Sequence, residues 1–403
     1  MMIMRLLQSH PITIIVIAQL FGTSLWFSPN SAAASLMAQW GLTTAALGQL
    51  TSATQFGFIT GTLVLATTGL ADRFAASRIC AFSCVAGGFF NAMFALTATG
   101  FDQGLVWRFL VGVSIAGIYP LGMKMIISWS NHNTGNSLGL LVAMLTLGSA
   151  LPHGVRAAGI GWAWESVVLT STVLASLAAV MVFLLGDGPN LPKVQHAGHT
   201  GLAGWGAALN VFRDGKFRAS ASGYFGHMWE LYAFWTLLPF LVADVVLSST
   251  SEANATMTSA LSFVVMGVMG AIGAVTAGGL SQRLGSPKVA AVALLGSGLM
   301  CLAYPFIPDS LWTVKALVLV IWGLTVVSDS AQFSATSAKV CPPNLVGSAL
   351  AIQNSIGFFI STVSIMLVMA LYESQGTAVV WYLLPGPVLG LLLFRRLLKA
   401  DGV

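Results

Sequence analysis

The feature that most constrains this chain is a succession of apolar runs long enough to cross a lipid bilayer, with almost no charge inside them. The stretch "SVVLTSTVLASLAAVMVFLLG", residues 166–186, is representative and carries no ionisable side chain. At 1.5 Å of rise per residue a helix of that length spans the ~30 Å of hydrocarbon. Only 7% of the 403 residues are charged and 56% are hydrophobic, too little charge to cover a soluble protein of this size. The composition therefore predicts an all-α integral membrane protein embedded in a lipid bilayer. The net charge of +5 is topological in such a chain, and no nucleic-acid partner is expected. Cys80 and Cys84 stand four apart on one helix, away from His or carboxylate neighbours, and read as small buried hydrophobes. Neither a metal nor a cofactor is expected.

Reading the runs against their breaks gives twelve spans. They cover 12–36, 46–70, 78–98, 103–129, 134–156 and 163–185, then 217–243, 255–281, 288–306, 311–338, 345–371 and 376–397. The start of the chain imitates a signal peptide, with Arg5 before an apolar run and "SAAAS" after it. The run is long for a cleaved signal and is read as an uncleaved first span. One connection is long, and it divides the chain into an N-terminal bundle (1–185), a linker (186–216) and a C-terminal bundle (217–403). In the linker Leu202, Trp205, Leu209 and Phe212 share one helical face, which predicts a short amphipathic helix on the membrane surface. His196 and His199 beside it read as solvated loop residues.

Orientation follows from the basic residues. A cytosolic N-terminus gives the inside Arg5, Arg73, Arg78, Lys193, Arg213, Lys216, Arg218, Arg283, Lys288, Lys339, Arg395, Arg396 and Lys399. The outside then keeps only Arg156 and Lys315, among Asp102, Glu165, Asp244, Glu252, Asp309 and Glu373. That bias predicts both termini in the cytosol and a multi-pass protein of the cell membrane, a bacterial inner membrane. The halves also echo each other. "TGLADRFAASR" between the second and third spans returns as "GGLSQRLGSPK" between the eighth and ninth, so that Arg73 pairs with Arg283 and Arg78 with Lys288. "GNSL" opening the fifth span similarly returns as "GSAL" opening the eleventh. Parallel repeats with short loops belong to carriers that alternate access between two bundles.

In these features the sequence resembles the major facilitator superfamily across essentially its whole length. The loop signature of that family, Gly-x-Leu-Ala-Asp-Arg-x-Gly-Arg-Lys, is kept at Leu70, Ala71, Asp72 and Arg73, while Ala75 replaces the later glycine. The second copy keeps Gly278, Leu280, Arg283 and Gly285, with Gln282 in the acidic place. The resemblance implies two six-helix bundles and a conformational latch at Asp72, Arg73 and Arg283. Asp72 would face the N-terminal end of the eleventh helix, where a helix dipole attracts a carboxylate. Gln282 brings no full charge, so the latch is expected to be asymmetric. A second family signature, Arg-x-x-x-Gly, is met by Arg108 and Gly112, with Val111 where glutamine is common. The Gly-Pro pair of the antiporter signature is broken around Pro152, which argues against drug–proton antiport. The family mostly works as monomers, and a monomer is expected.

Few polar groups remain to carry function. An ionised carboxylate facing lipid costs several kcal/mol, so buried acids normally face a partner or a cavity. In "GYFGHMWELYAFW" Glu230 falls near mid-membrane and His227 one helical turn away on the same face. Asp329 is equally central in the tenth span, with Gln332 three residues on. Glu230, His227, Asp329 and Arg108 are the proton-coupling candidates, with His227 tuning Glu230 or relaying its proton. A structural His227–Glu230 pair that staples packing is the alternative. Candidate substrate contacts are Trp26, Asn30, His153, Arg156, Tyr224, Trp229, Tyr232, Gln332 and Asn354. For Trp229 and Tyr232 a pocket wall and ordinary packing stand level. Asn30, Gln332, Gln353 and Asn354 are each slightly better explained as interhelical hydrogen bonds.

The function expected is secondary active transport of a small organic solute by rocking-bundle alternating access, coupled to protons. Protonation removes a charge that closure must otherwise desolvate, which links proton and solute movement. The alternatives are a pH-independent uniporter or efflux carrier of an amphipathic compound and, more remotely, an intramembrane enzyme. His227-x-x-Glu230 lacks the His-Glu-x-x-His zinc spacing, so an enzyme is not expected. Substrate identity, direction and stoichiometry are not encoded in any motif.

Overall fold

The structure, a computed structural model, describes residues 9–130, 134–190, 208–342 and 345–400. The linker expectations at Leu202, Trp205, His196 and His199 lie outside the described residues. The described residues are helical throughout, without a strand. In the first half the helices are α1 (Pro11–Thr23), α2 (Ala33–Trp40), α3 (Thr44–Thr68), α4 (Leu70–Arg73), α5 (Ala76–Thr97), α6 (Phe101–Ile115), α7 (Tyr119–Trp129), α8 (Thr134–Ala158) and α9 (Trp164–Leu185). In the second half they are α10 (Gly215–Thr250), α11 (Ala255–Ser262), α12 (Gly270–Leu284), α13 (Ser286–Ala303), α14 (Trp312–Ser328), α15 (Ser330–Val340), α16 (Val346–Gln375) and α17 (Pro385–Ala400). A π-helical segment, Phe263–Met269, joins α11 to α12 without a break in the rod.

Nine segments among the described residues are long and apolar enough to cross a membrane. One of them, Val346–Leu398, contains both α16 and α17, while the apolar helix Pro11–Thr23 is shorter than a span. Helix α10 is the longest, 36 residues or about 54 Å, so it overreaches the hydrocarbon and exceeds the expected 217–243 at both ends. Its first turn is fixed by Asp214, whose carboxylate accepts from the N–H groups of Lys216 and Phe217.

Three expected spans are interrupted, and the breaks create the polar centre. The first span stops at Thr23, passes through turns around Pro29 and resumes as α2. The fourth breaks between α6 and α7, with Pro120 in the first turn of α7. The tenth breaks at Asp329, between α14 and α15.

The internal repeat is visible in the packing. A Cβ on Gly112 would sit 2.0 Å from the Thr54 carbonyl oxygen, and one on Gly323 would sit 2.1 Å from that of Val265. Both partners are offset by 211 residues, as are Ile118 and Asp329, which head the helices after the two breaks. Only glycine permits that approach of two backbones, which explains the glycine of "WRFLVG" without any reference to chemistry.

Contacts within the first half run mainly α3–α6, α5–α9, α1–α9 and α1–α8. In the second half they run α10–α17, α10–α16, α13–α14 and α12–α14. The halves meet along two seams, α3 against α16 and α8 against α11, the π segment and α12. At the first seam Glu373 accepts from the backbone N–H of Thr44 at 2.9 Å, and the Thr44 hydroxyl donates to the Met369 carbonyl at 2.9 Å.

Candidate functional site

The break in the first span leaves main-chain carbonyls without helical donors. Arg108, 1% exposed, fills that gap. Its guanidinium donates to the carbonyls of Leu25 (3.1 Å) and Trp26 (2.6 Å), to Asn91 Oδ1 (3.2 Å) and to Thr54 Oγ1 (3.2 Å). Asn91 is held in turn by Ser28, the Val168 carbonyl and Thr172. All of these acceptors are neutral. Arg108 is therefore a buried cation that ties α3, α5 and α6 to the end of α1, and it has no carboxylate partner among the described residues.

The second half holds the acids. Glu230 is fully buried, and each carboxylate oxygen has one neutral donor: Ser297 Oγ on α13 at 2.8 Å and Trp322 Nε1 on α14 at 2.7 Å. Trp322 is itself clamped by Phe234, ring centroids 4.2 Å apart. His227 does not pair with Glu230. Its Nδ1 lies 2.7 Å from Asp329 Oδ1, with both side chains buried. The contact is off the line of an aligned hydrogen bond, and His227 Nε2 and Asp329 Oδ2 have no partner. We read it as an electrostatic contact with spare hydrogen-bonding capacity on both sides. The ring of Tyr224 flanks His227 at 6.1 Å and that of Phe333 at 6.3 Å.

Between Arg108 and the acids lies an aromatic cluster built by both halves. Trp26, Phe27 and Phe58 come from the first half, and Tyr232, Trp235 and Phe358 from the second. Phe58 and Phe358 meet at 4.4 Å, Trp26 and Tyr232 at 5.6 Å, and Phe27 and Trp235 edge-on at 5.7 Å. Trp26 Nε1 donates to Gln55 Oε1 at 3.3 Å, while Gln55 Nε2 and Trp235 Nε1 are buried without partners. The rings fill the space between the halves and leave polar atoms that a solute could use.

The other candidates scatter. Asn30 donates to Thr51 Oγ1 at 3.0 Å, an interhelical bond. Trp229 points away from the aromatic cluster and donates to the Tyr382 carbonyl at 2.8 Å. Arg156 bonds Ser35 Oγ at 3.0 Å and the Trp162 carbonyl, fastening the end of α8. His153, beside Pro152 within α8, is 1% exposed with Nε2 unpartnered. Gln332 is buried one turn beyond Asp329. Of the neighbours Gln353 and Asn354, it is Gln353 that is fully buried with both amide atoms free. Arg73 and Arg283 are exposed, and the Asp72 side chain lies outside the described ones. Lys124 donates to the Ala71 carbonyl beside it.

Sequence reasoning alone missed Ser297, Trp322, Gln55 and Phe358. The only signal for the first two was their depth, since both sit mid-span opposite Glu230 on other helices.

A family model, Major Facilitator Superfamily, matches residues 14–394. The chain belongs to the major facilitator superfamily. Among solved structures it is similar to a mutant of the nucleoside transporter NupG, with a TM-score of 0.74 over 96% of this chain and 99% of that one. The two share 12% identity, so the likeness shows the fold alone. No curated protein matches. As a member of this superfamily the chain is a multi-pass membrane transporter of a small solute, not an enzyme.

Proposed function

We propose that this transporter is a secondary active carrier that couples movement of a small organic solute to protons. In this reading twelve spans form two six-helix bundles, 1–185 and 217–403, joined by the linker 186–216, with both termini cytosolic and the monomer as the working unit. The bundles rock about the aromatic cluster. The Glu373–Thr44 contact and the packing of Gly48 on Met369 lie at the outer ends of α3 and α16 in that orientation, which supports an outward-closed state.

The observation that carries proton coupling is the pair of fully buried acids without a lysine or arginine among their described partners. Neutral donors on Glu230 and a single histidine on Asp329 leave protonation as the direct way to remove charge from the centre. Ser297 and Trp322 hold Glu230 in place, and Asp329 sits at a helix break beside His227, where a bundle can flex. Arg108 serves as the fixed positive end of the pathway.

The test is flux into liposomes with and without an inward acid gradient, after a ligand-stabilisation screen for solutes. Nucleosides enter that screen as one probe set, because NupG bears that name. Glu230→Gln and Asp329→Asn are expected to lose gradient-driven accumulation while solute exchange persists. Wild-type accumulation and pH response in both variants would remove proton coupling from the reading. The aromatic cluster supports a second reading, a pH-independent carrier of an amphipathic solute held between rings, and pH-independent flux by the wild type would select it.

A further inference from the structure

The two halves treat one equivalent helix end differently. In the first half the N-terminus of α5 carries a carboxylate. The N–H groups of Ala76 and Ser77 donate to Asp187 Oδ2 and Oδ1 at 2.9 and 2.7 Å. Asp187 lies just beyond α9. The counterpart of α5 is α13, which starts at Ser286, 210 residues on. The N-cap of α13 is Gly285, and among the described residues no side chain accepts from the first N–H groups of this helix. With the repeat offset of 210 to 211, the place of Asp187 falls on Leu397 and Leu398, which bring no charge.

Where the carboxylate would be, the structure has a cavity of about 760 Å³. Its wall includes the α13 N-terminus at Gly285 and Ser286, the lysines Lys216, Lys288 and Lys339, and Leu398. A smaller hollow of about 290 Å³ adjoins it and adds Arg396. Among the described residues one acid lines the cavity, Asp214, and its Oδ1 already accepts from the first turn of α10. Three lysines against one aspartate leave the wall two charges positive, and none of the three pairs with a carboxylate among the described residues. Pro287 removes one of the two backbone donors that α5 offers its carboxylate. The ammonium groups must therefore supply the missing attraction, which favours an occupant of higher charge than a carboxylate.

We propose that this cavity binds a phosphate group, delivered by an anionic lipid headgroup or by a soluble phosphorylated compound. The phosphate sits over the α13 N-terminus, in the place that Asp187 occupies on α5, and is held by Lys216, Lys288 and Lys339. Leu284, on the cavity wall and 54% exposed, gives a lipid chain an apolar exit along the protein surface. The site is separate from the transport pathway and does not depend on how transport is coupled.

The test is the unfolding midpoint of the purified, detergent-solubilised full chain at constant ionic strength. It is titrated with inorganic phosphate, with dioctanoyl phosphatidylglycerol, and with dioctanoyl phosphatidylcholine as the uncharged control. A saturable rise with at least one anionic probe and none with the control is expected. Phosphate alone sufficing assigns the site to a soluble compound; a response confined to phosphatidylglycerol assigns it to lipid. The triple variant Lys216→Gln, Lys288→Gln, Lys339→Gln should bind on the order of 100-fold more weakly, while the corresponding triple arginine variant binds as the wild type. Leu398→Asp, which restores the carboxylate of the first half, should abolish the response and raise the midpoint without ligand. No saturable response to either anion, or wild-type affinity in the glutamine triple or in Leu398→Asp, overturns the proposal. If the glutamine triple does not fold, Leu398→Asp decides alone.

Discussion

At the scale of single residues, the buried charges of this transporter are held by unlike means. Arg108 faces neutral oxygens only, and two of them are the carbonyls freed by the break after α1. Its role is geometric as much as electrostatic, because a planar fork reaches four acceptors on three segments at once. A lysine brings the charge without the fork. Arg108→Lys is therefore expected to lower stability by about 2–4 kcal/mol, measured by denaturant unfolding in detergent, with Arg108→Ala no less damaging. Glu230 poses the opposite case, an anion with one neutral donor on each oxygen. Trp322→Phe removes the donor at 2.7 Å and leaves that oxygen buried and unpaired. The expected cost is about 1–3 kcal/mol, and it should shrink when Glu230→Gln is added, since the stranded charge is then gone. Additive effects in that double-mutant cycle would show that the indole acts through packing on Phe234 instead.

At the scale of elements, the breaks decide which polar groups meet. The depth of Glu230, His227 and Asp329 could be read from the apolar runs around them, and so could the interruption at Pro29. The pairing could not. A three-residue spacing places His227 and Glu230 on one face of α10, yet His227 turns to Asp329 and Glu230 to α13 and α14. Which helix faces which residue depends on the rotation of each rod about its axis, and a uniformly apolar run carries little record of that. The break of the tenth span at Asp329 had no proline to announce it. The outer seam was equally hidden, because Glu373 reads in sequence as one of several acids outside the membrane. In the fold it sits on the N-terminal end of α3, where the helix dipole and the free Thr44 N–H attract it. Glu373→Gln keeps an acceptor and loses the charge, so the outward-closed state should weaken by about 0.3–1 kcal/mol. With Met369→Cys as reporter at the buried seam, labelling by an impermeant maleimide should rise about 2- to 5-fold. The four native cysteines are buried and give a low background. Unchanged labelling would mean that the seam is held by its apolar contacts alone.

At the scale of the whole molecule, two kinds of close glycine contact separate folding from rocking. Gly112 packs inside the first half, where an added Cβ would lie 2.0 Å from the backbone oxygen of Thr54. Gly267 packs between the halves, where an added Cβ would lie 2.8 Å from the Cβ of Ala150. Both substitutions to alanine overpack a helix contact, and overpacking of this sort costs ~1–3 kcal/mol. The consequences differ if the halves move as rigid bodies. In Gly112→Ala nothing can separate without dismantling a bundle, so the loss should appear as a lower unfolding midpoint. In Gly267→Ala the seam can open along the path already used in transport. The strain is then relieved by populating the outward-open state, and π-helical backbone at that point makes local adjustment easier. The expected result is a nearly unchanged unfolding midpoint with Met369→Cys labelling raised about 10-fold, set against a lowered midpoint and unchanged labelling in Gly112→Ala. Equal loss of stability in both variants would mean that the seam is part of one continuous core, and the division into two rocking bundles would fall with it.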